Sequence, residues 1–116
     1  MNTVGLIVYP ATDLQKSKAF FTTALGIEPY ADTPYYIGFR VGEMEIGLVP
    51  KAAAQSGAAG ALAYVTVTDI KQALASLVAA GAETVQEITD VANGLLVASV
   101  KDPTGTPVGL RQFPKT

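Results

Sequence analysis

The sequence of 116 residues contains no cysteine and no histidine, and only 16% of its residues are charged. Without cysteine it has no disulfide framework and no thiolate site. Without histidine it lacks the side chain that most often performs general acid–base catalysis near neutral pH, and only carboxylates remain as strong metal ligands. The composition therefore disfavours disulfide-stabilised scaffolds and sites built from histidine or cysteine.

Long apolar runs and clusters of basic residues are also missing. No apolar run approaches the length that spans a bilayer, and the first apolar stretch ends at Pro10 without the basic flank of a signal peptide. The 8 basic residues are scattered and the net charge is −2, so the sequence does not predict the basic patch that binds nucleic acid. With 49% hydrophobic residues, we expect a soluble, cytoplasmic globular protein that binds neither nucleic acid nor membrane.

The segment K-D-P-T-G-T-P-V-G-L, residues 101–110, organises the second half of the chain. Its motif Asp102-Pro103-Thr104-Gly105 has the residues preferred in a type I turn, so a strand should follow. That strand contains Val108-Gly109-Leu110, and the same order of apolar, glycine, apolar occurs earlier in Ile46-Gly47-Leu48. The repeated order predicts a duplicated module.

Hydrophobic periodicity and the positions of glycine, proline and capping residues predict the elements of two modules. In the first module we expect a strand over 4–9 stopped by Pro10, a helix from a cap at Thr12 or Asp13 to Gly26, an irregular segment 27–34, and a hairpin of strands 35–41 and 45–49 that turns at Gly42-Glu43. In the second module we expect a strand over 62–67, a helix from Asp69 to Gly81, and a closing hairpin of strands 95–100 and 106–112.

The segment between the modules is small, polar and rich in alanine and glycine. We interpret it as a flexible linker, because Ser56, Gly57 and Gly60 interrupt the alternative, a helix built on the alanines. The chain is then a single domain with module one at 1–49, a linker at 50–61 and module two at 62–116.

Three stretches carry a resemblance to a known family. They are V-Y-P-A-T-D-L-Q-K-S-K-A-F-F-T-T-A-L-G, V-T-V-T-D-I-K-Q-A-L-A-S-L-V-A-A-G-A and K-D-P-T-G-T-P-V-G-L. Together they resemble the vicinal oxygen chelate superfamily, which includes glyoxalase I, the bleomycin-resistance proteins and the extradiol dioxygenases. The resemblance implies an α+β fold of two tandem βαβββ modules, whose strands curve into a cup with the helices outside and a ligand or metal on the concave face.

In the metal-using members of that family, four side chains from four strands hold one ion. The resemblance places these positions on Leu6, Gly47, Leu62 and Gly109, and none of these residues can coordinate a metal. A register shifted by two residues puts Glu45 on the concave face, but one carboxylate does not make a metal site. We therefore expect neither a metal nor another cofactor.

Strand alternation predicts the surface of the cup. We expect the ligand-binding residues to be Leu6, Val8, Tyr36, Arg40, Gly47, Leu62, Tyr64, Thr66, Gly109 and Arg111, with Gly38 and Glu45 on the same face and Tyr35 on the opposite face from Tyr36. This surface is apolar and aromatic and has two cations, which is typical of a small-molecule pocket.

Several of these residues allow two interpretations. Arg40 and Arg111 either hold an anionic or planar ligand or are solvated at the surface. Glu45 is either a catalytic carboxylate or the ion-pair partner of Arg40 or Arg111, and we favour the ion pair. Gly47 and Gly109 either leave room for a ligand, which we favour, or are bulge residues.

The resemblance and the missing ligands together lead to a functional hypothesis. We expect a metal-independent protein similar to the bleomycin-resistance proteins, which binds an amphipathic or aromatic small molecule. The alternative is a glyoxalase-like lyase, isomerase or epimerase, or a dioxygenase-related enzyme, that uses Glu45, a tyrosine, or a metal held by carboxylates at other positions. A third hypothesis is a structural or regulatory dimerisation module with an empty cup. We also expect a homodimer, with the first helix or the edge strands at its interface.

Overall fold

The computed structural model describes residues 2–50 and 60–115. The first module contains β1 (Thr3–Ala11), α1 (Leu14–Leu25), β2 (Ala31–Asp32), β3 (Ile37–Val41) and β4 (Met44–Pro50). The second contains β5 (Leu62–Thr66), α2 (Ile70–Ala79), β6 (Glu83–Ala92), β7 (Leu95–Lys101) and β8 (Pro107–Gln112). The repeated order of elements confirms the duplicated βαβββ module.

All strands of the described residues belong to one sheet with the order β2-β3-β4-β1-β5-β8-β7-β6. At its centre β1 pairs antiparallel with β5, and this pairing joins the two modules side by side within one chain. On either side β1 pairs parallel with β4 and β5 pairs parallel with β8. The two halves of the sheet therefore repeat the same arrangement, as the prediction of a duplicated module required.

The predicted starts of both helices and the predicted end of α1 are confirmed, whereas α2 ends at Ala79 with Ala80 instead of Gly81 as its C-cap. Asp13 accepts a hydrogen bond at its side chain from the Lys16 amide, and α1 ends at Gly26 in the left-handed conformation with φ 72°. Asp69 caps α2 in the same way by accepting from the Gln72 amide. No helix of the described residues is long and apolar enough to cross a membrane.

The two helices cover one face of the sheet. Ile37, Phe39 and Leu48 are fully buried under α1, and a second buried cluster joins Ile70 of α2 to Leu110 of the sheet. Because neighbouring residues of a strand point to opposite faces, the other face of the sheet carries a third cluster, Leu62, Tyr64 and Val97, packed with Leu6 and Val8. That second face is the concave one, and it is not covered by a helix of the described residues.

Local sequence signals misplaced three features of the fold. Strand β1 does not stop at Pro10 but continues to Ala11. Its pairing with β5 ends at Val8, so no hydrogen bond to β5 requires the amide that Pro10 lacks. The segment predicted to be irregular contains the short strand β2. Strand β6 was not located by local signals, although the βαβββ order implied by the resemblance requires a strand after α2.

The predicted linker lies almost entirely outside the described residues, since 51–59 are not described. Pro50, the first residue of the predicted linker, is instead the last residue of β4. The turn Asp102-Pro103-Thr104-Gly105 is confirmed: the Gly105 amide donates to the Asp102 carbonyl over 2.9 Å, and the Asp102 carboxylate accepts from the amides of Thr104 and Thr106.

Candidate functional site

The concave face of the sheet holds a cavity of about 490 Å³. Its lining in the described part of the chain is mostly apolar and aromatic, with Glu45 and Arg111 as its charged residues. The lining comprises Leu6, Val8, Pro10, Tyr30, Tyr35, Tyr36, Glu45, Val49, Gly60, Leu62, Tyr64, Gln86, Val91, Ala92, Leu95, Val97, Arg111 and Phe113. The cavity draws on both modules, so it exists only because β1 and β5 pair.

Two tyrosine rings of the cavity lie directly over glycines of neighbouring strands. A Cβ atom on Gly47 would lie 2.7 Å from the Tyr36 hydroxyl oxygen, and one on Gly109 would lie 2.5 Å from Cδ2 of Tyr64. The interpretation that these glycines leave room for a ligand is therefore wrong. The space above them is filled by the rings, because a residue without a side chain lets a large neighbour lie flat on the backbone.

The charged end of the cavity is built around Arg111. Its side chain starts on β8 and crosses β5 and β1 to reach Glu45 on β4, where its Nη1 donates to Oε2 of Glu45 over 3.0 Å. On the way its Nε donates to the Thr66 hydroxyl over 2.9 Å, and its Nη2 lies directly over Gly5. Beyond these polar contacts the guanidinium stacks on the Phe113 ring, 4.7 Å from the ring centroid. Arg111 is thus held from several sides.

Glu45 is the centre of this cluster. The Tyr30 hydroxyl donates to its Oε1 over 2.5 Å, and Arg40 lies 3.8 Å from the same oxygen. Burial alone would raise the pKa of Glu45, but the hydrogen bonds from Tyr30 and Arg111 outweigh it and hold the pKa below its usual range. The structure confirms the interpretation of Glu45 as an ion-pair partner of the arginines.

Tyr30, Tyr36 and Tyr64 of the cavity are neutral. Burial raises the pKa of Tyr30, and its hydrogen bond to the ionised Glu45 raises it further. Burial also raises the pKa of Tyr36 and of Tyr64. These side chains therefore present aromatic faces and protonated hydroxyls to the cavity at physiological pH.

The structure brings most of the predicted residues to the cavity. Leu6, Val8, Tyr36, Leu62, Tyr64 and Arg111 line it, as does Glu45. Gly47 and Gly109 lie beneath the tyrosine rings, and Thr66 positions Arg111. Arg40 lies outside the lining, where its side chain is 58% exposed and stacks on the Tyr30 ring 4.6 Å from the centroid. A ligand-binding role for these residues stays a prediction.

Other lining residues were missed for identifiable reasons. Tyr35 precedes β3, so strand alternation does not apply to it, and it lines the cavity beside Tyr36 instead of facing away. Gln86, Val91 and Ala92 belong to the unpredicted β6. Leu95 and Val97 lie on a strand that was predicted, and extending the alternation rule to that strand would have found them.

The residues at this place do not fit a metal ion. The four positions that the resemblance assigned to metal ligands carry Leu6, Gly47, Leu62 and Gly109. Within residues 2–50 and 60–115, no three or more His, Cys, Asp or Glu side chains come together in a group that could hold a metal. Glu45, the carboxylate of the cavity, has both oxygens bonded to protein donors.

Comparison with known proteins extends these observations. Residues 3–110 match the Glyoxalase/Bleomycin resistance protein/Dioxygenase superfamily. No curated protein sequence is significantly similar to the chain.

Similar solved structures share the fold at low sequence identity. Methylmalonyl-CoA epimerase from Mycobacterium tuberculosis has a TM-score of 0.74 and 15% identity, over 97% of this chain and 88% of that one. A hypothetical protein from Bacillus halodurans C-125 has a TM-score of 0.79 and 16% identity, over 99% and 96%. A glyoxalase/bleomycin resistance protein/dioxygenase superfamily member from Vibrio splendidus 12B01 has a TM-score of 0.69 and 18% identity, over 97% and 100%. Since the family match covers nearly the whole chain and its fold is the one described above, the chain belongs to the glyoxalase/bleomycin resistance protein/dioxygenase superfamily.

Proposed function

We propose that the protein is a metal-independent binding protein for a small aromatic or amphipathic molecule, in the manner of the bleomycin-resistance proteins. The observation that supports this most is the cavity of about 490 Å³, which is lined by aliphatic side chains and by five aromatic rings in the described residues. Ligand pockets have this size and this mainly apolar lining, with a small number of polar groups at fixed positions.

The chemistry of the charged residues also favours binding over catalysis. A general base works best when its pKa lies near the working pH. The pKa of Glu45 is lowered instead, because the hydrogen bonds from Tyr30 and Arg111 outweigh burial. An enzyme related to the lyases, isomerases, epimerases or dioxygenases of the superfamily is therefore our second candidate, with Glu45 or a tyrosine as the reacting group. We place a dimerisation module with an empty cup third.

The binding function is tested with a neutral aromatic probe, 2-methoxynaphthalene. The protein contains no tryptophan, so naphthyl fluorescence can be followed without an indole background. We expect saturable binding that weakens at least about tenfold, or ~1.4 kcal/mol, in Val49→Phe, because Val49 lines the cavity and the added ring occupies it. Val41→Phe is the matched control, since Val41 is exposed and lies outside the lining.

Metal dependence is tested on the same protein. After extended dialysis against EDTA, we expect probe affinity to be unchanged, because the donor set of the cup does not suit a metal ion. A metal retained in stoichiometric amount, with probe binding lost on its removal, would contradict the metal-independent function. Equal weakening of binding in Val49→Phe and Val41→Phe would show that the cavity is not the binding site.

We further propose that the chain is a single domain of two modules and that it resides in the cytoplasm, where proteins without disulfides are common.

A further inference from the structure

The cavity contains a cation that its own chain already neutralises. Arg111 is buried, with 7% of its side chain exposed, and Glu45 is nearly so at 17%. Their hydrogen bond joins strands from different modules, between residues 66 positions apart in sequence. Each charge lines the cavity, and each is bonded to the other instead of being presented to a ligand.

Without Glu45, this end of the cavity would suit a carboxylate. The Arg111 guanidinium is held in place by Thr66 on one side and by the Phe113 ring on the other. A positioned guanidinium beside aromatic surface is a good site for an aromatic carboxylate, because planar oxygens accept from it and the ring stacks nearby. Its orientation does not depend on Glu45 alone.

Glu45 competes with such a ligand from a fixed position. Its carboxylate is tethered to β4 and held by the Tyr30 hydroxyl, so its effective concentration at Arg111 is far higher than that of a dissolved anion. An entering carboxylate would have to displace it and leave Glu45 close to a second negative charge. An uncharged ligand faces neither cost.

We propose that Glu45 is a specificity-determining residue, an internal counter-ion that occupies Arg111 and makes the cavity select uncharged aromatic ligands over aromatic carboxylates. This inference rests on the proposed binding function and names the ligand class. It also assigns Arg111 a role that differs from the expected grip on an anionic ligand.

The test measures the affinities of two probes of similar shape, neutral 2-methoxynaphthalene and anionic 2-naphthoate, for the wild-type protein and for Glu45→Gln. We expect the wild-type protein to bind the neutral probe at least about tenfold more tightly. In Glu45→Gln the affinity for 2-naphthoate should rise about tenfold or more, because a charged hydrogen bond to Arg111 becomes available, and the preference for the neutral probe over 2-naphthoate should shrink by a similar factor. Glu43→Gln, in the exposed β3–β4 turn, removes the same charge two residues away and should behave as wild type.

A double variant assigns the effect to Arg111 and not to the nearby Arg40. In Glu45→Gln/Arg111→Gln, the gain in 2-naphthoate affinity should disappear, since the freed cation is gone. Unchanged 2-naphthoate affinity in Glu45→Gln, or a wild-type preference for 2-naphthoate, would overturn the inference. If the wild-type protein binds neither probe, the proposed function fails. Binding of 2-naphthoate by Glu45→Gln alone would then still support the role of Glu45. If Glu45→Gln also binds neither probe, the inference about Glu45 is overturned as well.

Circular dichroism establishes that each variant is folded. If Glu45→Gln does not fold, Tyr30→Phe provides a second test, because it keeps the ring and removes the hydroxyl that holds Oε1 of Glu45. A several-fold gain in 2-naphthoate affinity is then expected from the loosened carboxylate. The absence of any gain would overturn the inference by this route.

Discussion

Gly5 shows how a missing side chain at one residue determines the electrostatics of the site. Arg111 and Glu45 lie on β8 and β4, which are separated in the sheet by β5 and β1. The arginine can span this distance only if the strands beneath it leave a path, and its Nη2 lies where a side chain at position 5 would begin. Gly5 lies at a register shift between β1 and β5, but it does not have a positive φ, so the lack of a side chain is needed for space and not for a left-handed backbone conformation.

Gly5→Ala should therefore displace Arg111 from Glu45. We expect the free energy of unfolding to fall by about 1–3 kcal/mol, the cost of leaving a buried polar group without its partner. Urea denaturation measures the change. Gly60→Ala is the matched control, because no atom of the described residues lies within 4 Å of a Cβ at that position, and it should change stability by less than about 0.5 kcal/mol. Equal stability of the two variants would mean that Arg111 does not depend on this path.

The ion pair should also leave a signature in the pH dependence of stability. The pKa of folded Glu45 lies below the ordinary value of 4.5, so folding favours its ionised form. The stability contributed in this way is present above the pKa of the unfolded chain and is lost as the pH falls through the lower folded value.

We expect the difference in unfolding free energy between wild type and Glu45→Gln to be largest at neutral pH and to shrink as the solution becomes more acidic than pH ~4. Urea denaturation of both proteins from pH 7 to pH 3 measures it. Comparing the two proteins removes the contribution of other acidic groups, such as Asp102, whose pKa is lowered by its hydrogen bond from Thr104. A difference that is constant over this range would contradict the ion-pair assignment.

At the scale of elements, pairs of tyrosine and glycine shape the concave face. Tyr64 of β5 is the direct cross-strand neighbour of Gly109 of β8, and its ring leans over that glycine. Tyr36, just before β3, lies over Gly47 of β4 in the same way. Such pairs cover bare backbone with an aromatic face and determine where each ring lies. The glycines therefore position the aromatic lining instead of opening space above themselves.

This arrangement predicts strong coupling between the two members of a pair. Gly109→Ala should destabilise the protein by about 1–3 kcal/mol, because the new methyl group collides with the Tyr64 ring. In a Tyr64→Ala background the same change should cost little, so the double-mutant cycle should give a coupling of at least about 1 kcal/mol. Thermal or urea unfolding of the four proteins measures the cycle. Additive effects would show that Gly109 is required for a backbone reason instead.

At the scale of the whole molecule, the pairing of β1 with β5 satisfies the strand edges that would otherwise need a partner. It joins the modules within one chain, so exchange of modules between chains is not needed to complete the sheet. Among the described strands, the remaining edges are the two-residue β2 and the longer β6, whose pairing with β7 has several register shifts. Irregular or short edges of this kind discourage further strand pairing.

The homodimer stays a prediction, and α1 is the surface that we expect to form it. Phe20 on this helix is 68% exposed, which is unusual for a large apolar side chain. Light scattering at high protein concentration should give the mass of a dimer, and Phe20→Glu should shift it towards the monomer by placing a charge at the interface. Gln15→Glu, on an exposed position of the same helix, is the control. A wild-type monomer at high concentration would contradict the prediction.

Local patterns of the sequence determined most of the fold. The caps at Asp13 and Asp69, the left-handed Gly26 and the turn that starts at Asp102 all lie where their residue types predict them. The alternation of the strands also placed six of the predicted side chains and Glu45 on the lining of the cavity. These features depend on residues that are close in sequence, and the periods of strand and helix can be read from a single segment.

Only the tertiary structure decided how the side chains on that face combine. The sequence contains Glu45, Arg40 and Arg111 without indicating which arginine crosses the sheet, and it contains Gly47 and Gly109 without indicating which rings cover them. Strand β6 is rich in β-branched residues, which favour a strand, but its place at the sheet edge follows only from pairing with β7. Contacts between residues as far apart as 45 and 111 depend on strand order and register, which arise only when the whole sheet assembles.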